Sequence, residues 1–341
     1  MSKEVFITTV TSYFPNSPID NNSMEDYLGL ISGVHSRVKN IVLRQNGIKQ
    51  RFYAVNTKQE MTHTNAELAH LSIQKLLKEA LLPLQELELL ACATASPDQV
   101  LPSHASMVHG LLKNAPMEIF SASGICLSCV QAFKIAYLSI LAGDKRNAVC
   151  SCSELASAGL LSKNFDVEYE KCANLGIQPY MALEKDFLRF MLSDGASAVL
   201  LQDNPSKGKA LHVEWVEMTS YANELPTCMF MGAEKEKNGE LKSWKSFSSQ
   251  ELTDRSLFTV KQDIKLLEKN AVPYWAKHIK YCLEKHDVAP ESISYVLPHV
   301  SSMFFYDKII NELKGIGIGI DESKWFTNLS RVGNIASAAI F

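Results

Sequence analysis

The chain has 341 residues, 46% of them hydrophobic, and a net charge of −3, with an isoelectric point near 6.3. That length supplies one large core or two fused ones, and two domains are expected. The faintly acidic balance gives no global basic field for nucleic acid, and no segment approaches the length of a membrane span. Eight cysteines, behind an N-terminus (MSKEVFITTV) without the apolar core of a secretion signal, suit a reducing cytoplasm.

Val5–Thr11 alternates weakly and is β-branched, which predicts a first strand closed by the turn Pro15-Asn16-Ser17-Pro18. A helix around Met24–Ile31 and a basic run, Arg37–Arg44, precede Asn46-Gly47-Ile48-Lys49-Gln50-Arg51. Thr64–Ala80 is an amphipathic helix with Leu68, Leu71, Leu76 and Leu77 among its apolar residues. Leu87–Ala95 reads as a buried strand, Ser96-Pro97-Asp98 as a turn, and Ser103–Leu112 as a second helix. The organising stretch is Met117–Ala142: a β-prone run to Ala122, a small-residue turn at Ser123-Gly124, then an apolar helix. Its buried face recurs at Ala132, Phe133, Ala136, Tyr137 and Ile140. The strand Ala148–Ser153 closes a βαβ unit.

Phe165–Lys185 is a polar, aromatic-rich insertion, expected to be a lid or subunit contact, or else disordered. Ser193-Asp194-Gly195 leads into the strand Ala196–Gln202, and Asn204–Gly208 is the junction between two units, residues 1–204 and 205–341. In the second unit Lys209–Met218 is a predicted strand, Thr219–Leu257 is irregular, and Phe258–Leu283 is helical, with Pro273 expected to kink or divide it. Ile293–Leu297 is a short strand ending at Pro298-His299; a helix over Met303–Leu313 and a turn at Thr327–Ile335 follow. Alternating strands and helices in both units predict α/β layering.

Cys126 sits where the turn meets the helix of the organising stretch. Unpaired N–H groups and the positive end of a helix dipole favour a thiolate there, so Cys126 is a candidate nucleophile with an expected lowered pKa. Other readings of the same residue stay open: a small buried hydrophobe, as most cysteines are, or one half of a Cys126/Cys129 redox pair. A zinc site would need a second pair such as Cys150 and Cys152, which a single-residue gap points to the same face of a strand.

Several ordered blocks resemble the thiolase-fold condensing enzymes, specifically β-ketoacyl-acyl-carrier-protein synthase III (KAS III). Asn46-Gly47-Ile48-x-x-Arg51 is similar to T-G-I-x-x-R; Thr94-Ala95-Ser96-Pro97-Asp98 with Pro102-Ser103-x-Ala105 is similar to T-x-T-P-D…P-S-x-A. Cys126-Leu127-Ser128 through Ala132-Phe133 resembles the nucleophile helix, and Ser151-Cys152-Ser153-Glu154 the strand end after it. Asp194-Gly195-Ala196-Ser197-Ala198 resembles G-D-G-A-G-A, Pro298-His299 resembles P-H-Q-A-N, and Gly333-Asn334 with Ser337-Ala338-Ala339 resembles G-N-T-S-A-A. The resemblance implies a five-layer αβαβα thiolase-like fold of two pseudo-symmetric halves, usually a homodimer, with Cys126, His299 and Asn334 as the catalytic set. It also implies transfer of an acyl group from acyl-CoA or an acyl carrier protein to Cys126, then decarboxylative condensation with a malonyl thioester. No cofactor or metal is expected.

The departures from the pattern set further expectations. Leu127, Ser128 and Cys129 replace the family's small residue and Gly-Phe, changing the pocket. Ile41 and Gln45 stand where a tryptophan and an arginine usually meet the adenine of coenzyme A, which favours a carrier-bound or longer acyl donor. Phe304 replaces a basic carrier-docking residue. The family continues past its G-N-T-S-A-A helix, so the C-terminal half is expected to be shortened, by truncation or because the site closes otherwise. A specialised lipid or polyketide pathway, such as dialkylresorcinol synthesis, fits these changes. The competing readings are a non-decarboxylating acyltransferase using Cys126, a structural partner subunit of a condensing-enzyme heterodimer, and a dithiol redox protein.

Overall fold

Side chains along the central strands alternate between two cores, and that alternation fixes the layers. The computed structural model describes residues 3–173, 185–205 and 208–340. Its main sheet comprises β1 (Phe6–Tyr13), β2 (Leu89–Thr94), β3 (Glu118–Ser123), β4 (Asn147–Glu154), β5 (Gly195–Gln202) and β6 (Leu211–His212), in spatial order β3-β2-β4-β5-β1-β6. β2 runs parallel to β3 and β4, while β5 is antiparallel to β4 and β1. Helices α1 (Asn65–Ala80) and α2 (His104–Leu112) cover one face, and α3 (Ser128–Leu141) covers the other. Leu89, Ala91 and Ala93 face α3, whereas Leu90 and Cys92 face α1 and α2, as a period of two requires. β2 and β4 are buried at every position, because both faces of the sheet are covered.

α1 starts where its sequence says it should. Thr64 and Glu67 form a reciprocal capping box, and the Asp98 carboxylate accepts from the Asn65 and Ala66 N–H groups at 2.7 and 2.9 Å. A carboxylate at the positive end of a helix is favourable, so the Ser96-Pro97-Asp98 turn is tied to α1.

The C-terminal half is more sparsely stranded. α4 (Ile264–Lys285) and α5 (Met303–Gly315) pack together around Val272, Ala276, Phe305, Ile309 and Leu313. Among the described residues the strand expected at Ile293–Leu297 is a single parallel bridge, Val296 to Trp325. The strand expected over Lys209–Met218 shrinks to β6, which extends the first sheet beside β1. Val213 and Val216 pack against the core that contains α3, and one further backbone bond, Val213 N–H to the Val5 carbonyl at 2.8 Å, follows β6. Within Thr219–Leu257, two short strands, Ala233–Lys235 and Leu241–Ser243, pair, and Ser249–Asp254 is helical.

Pro273 does not divide its helix, which runs unbroken for 22 residues. Pro273 and Lys269 both lie on the exposed face, where water can accept the carbonyl bond that a proline leaves unmade. Of the insertion at Phe165–Lys185, Asp166–Ala173 is helical, and 174–184 lie outside the described residues.

Candidate active site

Cys126 lies in the turn between β3 and α3, half-buried, with Ile125 and Leu127 exposed on either side. Three of the amides near the helix start are engaged elsewhere, while the Cys126 backbone N–H still favours the thiolate against larger opposing effects. Ser128 N–H donates to the Ile125 carbonyl at 3.0 Å, and Val130 and Gln131 N–H donate to the Leu127 carbonyl at 3.0 and 3.2 Å. Burial pushes the Cys126 thiol up to about 12, with the nearby Glu154 carboxylate adding to the shift. Burial and Glu154 thus push Cys126 in the direction opposite to the lowered pKa expected from its place before the helix. Cys129, fully buried, donates its S–H to the Cys126 carbonyl at 3.3 Å and so fixes the turn.

His299 follows the Val296–Trp325 bridge and precedes α5, whose first turn is capped by Ser302. Both of its ring nitrogens are buried without a hydrogen-bond partner. Burial pushes its pKa down to about 4, so near neutral pH it is an uncharged imidazole with one N–H to donate.

Asn334 is held by backbone. Its N–H donates to the Met191 carbonyl at 3.1 Å and its carbonyl accepts from Ser193 N–H at 2.9 Å. Its side-chain Oδ1 accepts from Ala336 N–H at 3.0 Å, which leaves the NH₂ as the amide's donor. Gly333 just before it adopts φ +75°, and a Cβ there would stand 2.8 Å from that of Ser193 and 3.1 Å from that of Arg51, so only glycine fits.

Cys126, His299 and Asn334 all line one cavity of 1580 Å³. Its walls are mostly apolar, with Leu155, Leu160, Leu188 and Met191 from the first half and Leu225, Met229 and Leu252 from the second. Glu154, at the end of β4, also lines it and is buried. Its carboxylate accepts from Ala95 N–H at 3.0 Å, Ser96 Oγ at 2.6 Å, Ser337 N–H at 3.3 Å and, in a short contact, Ser337 Oγ. Burial raises its pKa, and these donors oppose the rise. The motifs identify Glu154 as a strand end only. The available signal was a carboxylate closing a strand of otherwise small and apolar residues.

Other motif residues build the frame. Arg51 is fully buried, donating to Asn21 Oδ1 at 2.9 Å and to the Phe190 carbonyl at 3.3 Å. Asp194 accepts from Ala54 N–H at 2.6 Å and Ser157 N–H at 2.8 Å, and burial lifts its pKa to about 6.

The sheet order, the cysteine-bearing turn before α3 and the shared chamber belong to a thiolase-like fold. The chain is KAS III-like. It is 23% identical to β-ketoacyl-acyl-carrier-protein synthase III of Clostridium perfringens over 96% of this chain and 85% of that one. It is 27% identical to the enzyme of the same name from Aquifex aeolicus over 88% and 78%. Among solved structures, the tetronic acid condensing enzyme AbyA1 superposes with a TM-score of 0.71 at 20% identity, covering 98% of this chain and 89% of that one. OleA of Xanthomonas campestris, solved with bound lauric acid and lauroyl-CoA, superposes with a TM-score of 0.67 at 17% identity, covering 100% and 89%. No family model matches the chain. Among the described residues, no helix is long and apolar enough to cross a membrane.

Proposed function

We propose that the chain is an acyltransferase of the KAS III type, which loads an acyl group onto Cys126 and condenses it with a malonyl thioester. The observation that carries this reading is that a cysteine, a neutral imidazole and a carboxamide from three distant stretches of sequence line one apolar cavity. In the first half-reaction the Cys126 sulfur adds to the donor thioester carbonyl, and the donor thiol leaves with the proton that Cys126 gives up. In the second, loss of CO₂ from the malonyl group leaves an enolate, whose oxygen receives the His299 N–H and the Asn334 NH₂. Donors fixed in advance in a water-poor site stabilise such charge without reorganising. The enolate carbon attacks the Cys126 acyl thioester, breaking its C–S bond and giving a β-ketoacyl product, and the released Cys126 thiolate takes a proton from solvent. No cofactor enters this scheme.

An acyl carrier protein would present donor and acceptor, and the chain would act as a homodimer, as the KAS III resemblance implies. Intact-mass spectrometry tests the reading. The wild type gains the mass of the acyl group on incubation with acyl donors, and releases CO₂ and β-ketoacyl product when malonyl carrier protein follows. An adduct that transfers to an oxygen or nitrogen acceptor without CO₂ release would assign the chain to non-decarboxylating acyl transfer instead.

A further inference from the structure

Four cysteines follow one another from the chamber wall into the core of the first half. Cys129 is fully buried and turns its S–H back to the Cys126 carbonyl at 3.3 Å. Behind it, Cys152 is hydrogen-bonded to both the Cys129 and the Cys150 thiols, and Cys150 S–H reaches the Cys129 carbonyl at 3.9 Å. Of these four, Cys126 alone lines the chamber, so a small oxidant entering there meets that sulfur first.

Cys129 is the thiol placed to answer it. It follows Cys126 by three residues, across the turn that Ser128 N–H closes on the Ile125 carbonyl and into the first turn of α3. Side chains three apart on a helical turn stand about 5–6 Å apart at Cβ, and a disulfide needs about 3.5–4.5 Å. Closing that gap takes a shift of about 1–2 Å and gives up one S–H···O contact. Of the other three thiols, Cys129 is also the one near enough to bear on the titration of Cys126.

Resting on the condensing-enzyme reading above, we propose that Cys126 and Cys129 form a reversible disulfide under attack by a hydroperoxide, and that this bond masks the nucleophile and switches acyl loading off. In the first step the Cys126 sulfur takes the terminal oxygen of the hydroperoxide, whose O–O bond breaks. Sulfur is oxidised to the sulfenic acid, and the oxidant leaves as water or an alcohol carrying the thiol proton. In the second, the Cys129 sulfur displaces the hydroxyl from Cys126, the S–S bond forms, and water departs with the Cys129 proton. The Cys126 thiol is pushed up to about 12, so the first step is slow near neutral pH. A resolving thiol one turn away then intercepts each sulfenic acid before a second hydroperoxide arrives. A bond closed over so short a span under strain is readily reduced, which makes the mask reversible.

The test treats the purified full chain with hydrogen peroxide at pH 8, blocks the remaining thiols and maps the tryptic peptide 114–134, which holds Cys126 and Cys129 and no other cysteine. That peptide should lose about 2 Da as two thiols become a disulfide, in step with a drop of about tenfold or more in acyl loading, and dithiothreitol should restore both. Cys129→Ser keeps a donor for the Cys126 carbonyl and removes the second sulfur. Measured against its own untreated loading rate, it should be inactivated by excess peroxide without recovery under dithiothreitol, as Cys126 passes to sulfinic acid. Inactivation of wild type with oxygen added to Cys126 and no 2 Da loss, or a bond from either residue to Cys150 or Cys152, overturns the proposal. An untreated chain that gains no acyl mass from any donor overturns the condensing-enzyme reading instead, and the peptide map still decides the disulfide.

Discussion

The Glu154 carboxylate accepts both the backbone N–H and the hydroxyl of Ser337, 183 residues further along the chain. Through this contact the end of β4 grips the loop that carries Asn334, three positions earlier, and the same carboxylate raises the pKa of Cys126. Glu154→Gln keeps the shape and removes the charge. It should alkylate faster at Cys126 than wild type at any fixed pH, because a carboxamide no longer opposes the thiolate. Ser337→Ala should cost about 1–2 kcal/mol of stability by removing one donor from a buried carboxylate, seen as a lower urea midpoint.

The thiol pKa of about 12 fixes the sign of a second dependence. Below its pKa the thiolate fraction grows tenfold with each pH unit, so iodoacetamide alkylation of Cys126 in the folded protein should climb about tenfold per unit between pH 7 and 10. A plateau near pH 8 would contradict the buried, neutral thiol.

His299→Ala and Asn334→Ala should separate the two half-reactions. Each removes a donor to the enolate and should slow malonyl decarboxylation by about 10²–10³-fold, while acylation of Cys126 changes far less. Decarboxylation can be followed as CO₂ release and acylation as mass gain; equal loss of both would remove these residues from the enolate role.

Two buried histidines give the fold an acid limit. Burial pushes His104 and His299 each down to about 4, against about 6.5 for a histidine in the unfolded chain. Between those values the unfolded state binds more protons, so stability falls as pH drops through that window, by about 3 kcal/mol per histidine once both states are protonated. Thermal melting at pH 7, 5.5 and 4 should show the decline. His104→Gln should flatten part of it.

Gly333→Ala tests the backbone under Asn334. A methyl at φ +75° and 2.8 Å from Ser193 Cβ strains the residue and pushes on the segment just ahead of β5, for a loss of about 2 kcal/mol or more. Condensation should fall further than stability alone explains, because Asn334 moves with it.

What the sequence discloses is what local pattern encodes. α1 is legible because Thr64 and Glu67 mark its start and leucines recur on one side. β2, β4 and β5 are legible because a strand covered on both faces is a continuous apolar or small-residue run. Cys126, His299 and Asn334 come together from the order of short motifs, and the structure lines one cavity with all three. The state of the Cys126 thiol was not legible, since it depends on which carbonyls engage the first amides of α3 and on a carboxylate from another strand. Nor was the face of α4 that lines the chamber: its residues look like an ordinary amphipathic face, and only the folded chain shows a chamber beside them. Lys209–Met218 misleads because its valines pack on the core that contains α3 while only Leu211–His212 pair as a strand.

The grip of Glu154 on Ser337 also makes the first sheet depend on the last turns of the chain. Without Ser337 the carboxylate that closes β4 loses two of its donors, and without Asn334 the Met191 carbonyl and the Ser193 N–H lose their partners. A lesion in the closing segment therefore reaches the strand ends that frame the chamber, far away in sequence.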